Sequence, residues 1–189
     1  MSMNISEFIY AKKVGIIIEH DKEYSGKRYV HFKKKLKLKA IDGKETLLKE
    51  KNSIGYFLVI NSKVIKIGQT SGEGGLYSCM GFYGCAGQDD PGKTRFAVNL
   101  LMREEMKKGN MVEVWMQYEP PFAKKFKGAT GVVTKEVLMS AKYIEDDCIK
   151  HYYNTTGEYP EWNFQEDGKE MPNWITEEYT NYNAKRKGK

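Results

Sequence analysis

The stretch Ile54-Gly55-Tyr56-Phe57-Leu58-Val59-Ile60-Asn61-Ser62-Lys63-Val64-Ile65-Lys66-Ile67-Gly68 decides how the rest of the chain is read. Its first seven residues are apolar and strand-forming. Asn61-Ser62 makes a short turn, and Lys63–Ile67 returns as a second strand that ends at Gly68. A tight hairpin of this kind lets Tyr56 and Lys66, ten positions apart, approach on one sheet face.

Downstream lies a glycine-dense segment with Gly72, Gly74, Gly75, Gly81, Gly84 and Gly87. It lacks the Gly-Lys-Ser/Thr ending of a phosphate-binding P-loop, and Gly92-Lys93-Thr94 has neither the spacing nor the preceding strand. The glycines argue against a helix here, each costing about 1 kcal/mol relative to alanine. Lys93–Lys108 has helical periodicity and a stop at Gly109-Asn110. Val112–Tyr118 reads as a third strand, and Pro120-Pro121 breaks the chain. Thr134 is a plausible N-cap for a helix from Lys135 to about Tyr153, stopped by Asn154 and Gly157. The remainder, with Trp162, Trp174, Tyr179 and Tyr182, reads as aromatic and irregular.

Upstream, Val14–Glu19 and Arg28–Phe32 read as a hairpin, and Lys35–Ile41 alternates lysine with Leu36, Leu38 and Ala40. Lys33, Lys34, Lys35, Lys37 and Lys39 form a basic row with two readings: a phosphate-facing strand, or an edge strand guarded against aggregation. From Lys27 to Lys51 there are ten Lys/Arg against three acids, a larger surplus than the whole-chain net charge of +6. A nucleic-acid backbone would favour this region. Residues 1–50 are expected to form a basic β-rich accessory region, 51–165 the main domain, and 166–189 an aromatic and then basic tail.

The 189 residues are 40% hydrophobic and 13% aromatic, enough to build a core. A mean hydropathy of −0.64 and the lack of a long apolar run exclude a membrane-spanning helix. The start, MSMNISEFIYAKK, has no apolar core followed by a small-residue cleavage site, so a cytoplasmic location is expected. Cys79, Cys85 and Cys148 are too few and too irregular for a disulfide framework, and no Cys-x2-Cys pair suggests structural zinc. His20, His31 and His151 have no partners at metal-motif spacing.

The order strand, turn, strand, Gly-rich segment, helix, strand, helix carries Gly55-Tyr56-Phe57, Lys66-Ile67-Gly68, Glu145 on the last helix, and Pro160-Glu161-Trp162-Asn163. Over residues 54–163 this resembles the GIY-YIG nuclease family, in the restriction-endonuclease branch with lysine in place of tyrosine in the second motif. The resemblance implies an α+β fold: a three-stranded antiparallel sheet flanked by helices, here with the N-terminal basic β-rich appendage. It also implies a magnesium-dependent endonuclease acting on DNA, most naturally double-stranded, in a homo-oligomer. Tyr56, Lys66, Gln69 and Asn163 would line the site, and Glu145 would hold Mg2+, with Asp146 and Asp147 as neighbouring acids. A desolvated Lys66 can accept a proton.

The family places a phosphate-clamping arginine on the helix after its second motif, whereas Ser71–Gln88 contains no Lys or Arg. Arg95 is the nearest substitute, with Lys93 another, and its side chain is expected to point into the cleft of Tyr56, Lys66 and Glu145. Without such a cation the same scaffold would be a non-cleaving nucleic-acid-binding or regulatory module.

Overall fold

The computed structural model describes residues 2–23, 32–84, 92–168 and 170–187. The chain builds one five-stranded antiparallel sheet from β1 (Lys12–Glu23), β2 (Lys34–Ala40), β3 (Ser53–Ile60), β4 (Lys63–Thr70) and β5 (Glu113–Glu119). Its order is β2-β1-β5-β3-β4. The central hairpin forms as read: Asn61 and Ser62 take positive φ (49° and 65°), the backbone of a turn that matches strand twist. The expected three-strand sheet is extended to five, because β1 pairs directly with β5. β1 and β2 therefore continue the sheet. The expected strand at 28–32 lies, except for Phe32, outside the described residues, as do His31 and Cys85.

Two layers cover the sheet. On one face, which holds Tyr56, Leu58, Val114, Ile17, Leu36 and Leu38, pack α1 (Gly75–Gly84) and α2 (Lys93–Lys107). On the other, Phe57, Val59 and Ile67 meet Ile144, Cys148 and Ile149 of α3 (Ala141–Thr156), with Met3, Ile5 and Phe8. Arg103, braced by Asn99 one turn earlier, pins α2 to β1 through Glu19 (2.8 Å) and to β2 through the Lys34 carbonyl, with Phe32 stacked 4.1 Å from its guanidinium.

Several elements differ from expectation. The Gly-rich segment contains the helix α1. Thr134 caps no helix; it lies in a second, separate hairpin formed by β6 (Phe122–Gly128) and β7 (Gly131–Val137). Val132, Val133, Thr134 and Val137 are β-branched and favour a strand. α3 starts only at Ala141, after Ser140, and ends as expected at Gly157 in a left-handed conformation (φ 76°). The segment read as irregular contains the short α4 (Phe164–Asp167) and the long α5 (Asn173–Lys187). Ile175 and Tyr182 of α5 pack fully buried against Phe96 and Leu100 of α2.

β4 is an outer strand, and both ends of the chain close it. Met3 accepts from the Val64 N–H and Ile5 donates to the Ser62 carbonyl. From the C-terminal side Trp162 donates to the Ile65 carbonyl (2.8 Å). Asn163 completes the closure with its side chain, as described below. Covering an edge in this way removes a template for strand pairing with other chains. Among the described residues no helix is long and apolar enough to cross a membrane.

Candidate active site

The register of β3 against β4 pairs Tyr56 with Gly68 and Leu58 with Lys66, so Tyr56 and Lys66 share the α1 face. Gly68 leaves the space that the tyrosine fills. A Cβ at position 68 would lie 2.3 Å from the Tyr56 hydroxyl oxygen. Gly55 does the same for α3: a Cβ there would lie 2.7 Å from Ile144 Cγ2, beside Glu145. The two motif glycines thus let the tyrosine lie flat and let the acid-bearing helix come close.

Tyr56 is 2% exposed, and its hydroxyl is 2.7 Å from that of Tyr83 on α1. Burial holds the Tyr56 phenol well above its ordinary value, with the neighbouring Tyr83, Cys79 and Glu145 adding to the rise. Tyr83 is pushed up to about 12 and the Cys79 thiol to about 11, both by burial. All three stay protonated near neutral pH, so they donate and do not act as bases. Lys66 moves the other way. At 7% exposure, burial pulls its ammonium below the ordinary lysine value, while Glu166 and Glu145 partly restore it.

Glu145 lies on the buried side of α3, 8% exposed, and its charge is felt at Tyr56, Lys66 and Tyr83. Lys142, one turn earlier, sits 2.9 Å from Glu145 Oε2 and 2.9 Å from Asp146 Oδ1. Those hydrogen bonds raise the lysine. Among the described residues no group of three His, Cys, Asp or Glu converges as a metal cage. A lone, nearly buried carboxylate with its second oxygen outside the lysine pair suits magnesium, which binds through one or two carboxylates and keeps its waters. It does not suit zinc or calcium, which need fuller protein cages.

Arg95, at the start of α2, borders a groove of about 520 Å3 together with Gln69, Thr70, Cys79 and Phe82. Its guanidinium lies 5.0 Å from the Phe82 ring centroid, and its charge is felt at Cys79 and Tyr83. It therefore stands at the rim of that groove, whose lining does not include Tyr56, Lys66 or Glu145. Lys93 is exposed at the helix entrance. Asn163 is buried and both its polar atoms are engaged: its Oδ1 accepts from the Ile67 N–H and its Nδ2 donates to the Ile67 carbonyl, both 2.9 Å. It positions β4 beside Lys66 from a buried place, 1% exposed.

The basic row is not brought to the site. Lys35, Lys37 and Lys39 lie on the sheet face opposite Tyr56, because Leu36 and Leu38 take the shared face. β2 and β4 are also opposite edges of the sheet, four strand spacings or about 19 Å apart. Lys37 pairs with Asp21 at 3.5 Å.

Residues outside the expected set complete the site: Cys79 and Tyr83 on one face of α1, Glu166 on α4, and Lys142. Cys79 and Tyr83 stand four apart, and Lys142 is three and four from Glu145 and Asp146. Both spacings mark side chains that meet on a helix.

No family model matches the chain, and no curated protein matches it. Among solved structures it is similar to restriction endonuclease HPY188I in complex with product DNA (16% identity, TM-score 0.46, 84% of each chain). It is also similar to a mutant of bacteriophage T4 EndoII (18% identity, TM-score 0.49, 85% of this chain and 98% of that one). At these identities and TM-scores neither likeness assigns a function, which has to come from the side chains themselves.

Proposed function

We propose that this chain is a DNA endonuclease of the GIY-YIG type that hydrolyses phosphodiester bonds of duplex DNA with magnesium. One observation carries the reading: two buried groups on one sheet face, Tyr56 and Lys66, are driven to opposite protonation behaviour, and both feel the charge of the buried Glu145 on α3. Environments that split titratable groups in this way divide acid from base roles.

In this reading the neutral fraction of Lys66 takes the proton of the attacking water. Tyr56, kept protonated, orients that water or a phosphoryl oxygen by donating its hydroxyl hydrogen, with Tyr83 as its partner in the resting state. Arg95 swings from the Phe82 ring to neutralise the phosphoryl oxygens. Glu145 would hold the magnesium ion, which when bound supplies positive charge to a phosphate oxygen and to the leaving 3′-oxygen. The rate should climb with pH through the lowered Lys66 value, as its neutral form grows.

The ion pair between Lys142 and Glu145 favours a second reading, a nucleic-acid-binding module that does not cleave, because a lysine already neutralises the carboxylate. Nicking of supercoiled plasmid with and without magnesium separates the two. Cleavage that depends on magnesium and is lost in Glu145→Gln, with DNA affinity retained, supports the nuclease. Binding without nicking under every divalent ion supports the module.

A further inference from the structure

The proposed reaction makes no use of the ribbon formed by β6 and β7. Both its faces are open to solvent; Phe122 and Val132 are among its exposed side chains. It carries Lys124, Lys125, Lys127 and Lys135 against a single acid, Glu136. Among the described residues none of the four lysines lies within ion-pairing distance of a carboxylate. Lys124 and Lys135 are directly paired across the ribbon, an arrangement of like charges that destabilises a hairpin unless an anion lies between them. A two-stranded ribbon is marginal in water by itself.

The root of the ribbon fixes where it points from. Glu119, at the end of β5, pairs with Ser53, whose hydroxyl donates to the Met139 carbonyl beyond β7. Ile54, next to Ser53, pairs with Thr70 in the groove bordered by Arg95. Glu145 follows one turn into α3. The ribbon thus springs from the end of the sheet that holds the groove, and seven-residue strands give it a reach of roughly 20 Å.

We propose that the β6–β7 ribbon grips duplex DNA beside the cleavage site, seated in the major groove with its lysines on phosphates. The major groove admits a two-stranded β-ribbon. The inference rests on the DNA reading above. A second copy of this chain is the poorer occupant, because two such ribbons face to face would gather eight lysines around two acids.

The test is equilibrium binding of the full chain to a fluorescent duplex of several helical turns, without magnesium, over a series of salt concentrations. K124Q/K125Q/K127Q/K135Q should weaken binding and flatten the plot of log affinity against log salt by about three to four units, near 0.9 for each phosphate no longer neutralised. Should that variant lose its circular dichroism, K125Q/K127Q carries the test, with an expected drop of about two units. Wild-type binding with an unchanged slope in the variants overturns the ribbon and leaves the active-site reading standing. An unchanged slope with loss of self-association in sedimentation gives the ribbon to a second copy and overturns the proposal. Failure of the wild-type chain to bind any duplex overturns both readings.

Discussion

Lys66 has no carboxylate within ion-pairing distance among the described residues, and burial lowers its pKa. The folded chain therefore holds fewer protons than the unfolded one between that lowered value and the ordinary 10.5. The Lys66 contribution to stability rises with pH across that window, and its burial penalty is fully present below the lowered value. Lys66→Met should raise stability at neutral pH by about 1–3 kcal/mol and flatten this rise, as read by urea unfolding at several pH values. The measurement belongs below about pH 9, because the Cys79 and Cys148 thiols, and above pH 10 the Tyr56 phenol, all with raised values, pull the other way. Asn163 offers a second test. Asn163→Ala leaves the N–H and C=O of Ile67 without partners and should cost about 2–4 kcal/mol in chemical unfolding. A cost near zero would show that water reaches the β4 edge and satisfies both groups. At this scale the sequence was informative where the hairpin dictated geometry, as for Tyr56, Gly68 and Lys66. It was silent on Glu166, whose approach to Lys66 depends on how the C-terminal segment folds back.

Helices and strands were legible where periodicity and stop signals agreed. β3, β4 and α2 fall close to their expected spans, and the end of α3 does too. α1 was obscured by its glycines, yet Gly75 and Gly84 are its terminal residues, so only Gly81 carries the interior penalty. α5 had a readable stripe, Ile175, Tyr179 and Tyr182 at helical spacing, hidden by its polar surroundings. The β6–β7 ribbon buries neither face, although Phe122, Phe126, Val133 and Val137 share one, and buried faces are what strand patterns report. The position of α2 gives a prediction of its own. With Arg95 at the rim, Arg95→Ala should lower the cleavage rate about a hundred- to a thousandfold while changing DNA affinity little. Rates within a few fold of wild type would leave Lys93 as the cation to examine.

The whole molecule is where local signals say least. Nothing within residues 12–40 announces that β1 will pair with β5, because the partners are a hundred positions apart. That pairing converts an expected appendage into part of the sheet and carries the lysine row of β2 to the far edge, on the other face from Tyr56. Lys35, Lys37 and Lys39 are placed to keep other chains from adding to that edge. Replacing all three by Gln should leave DNA affinity and its salt slope unchanged and increase turbidity at high protein concentration. A loss of two or three units of slope would return these lysines to the DNA path. The closure of β4 has a consequence in time as well as in space. During synthesis the strand bearing Lys66 leaves the ribosome with Met3 and Ile5 already made to cover its start, and with its edge at Ile65 and Ile67 still bare. Asn163, which completes that edge, follows 96 positions after Ile67. A nascent chain therefore holds the Tyr56–Lys66 hairpin long before the edge beside it is complete, and that edge closes only with the C-terminal segment.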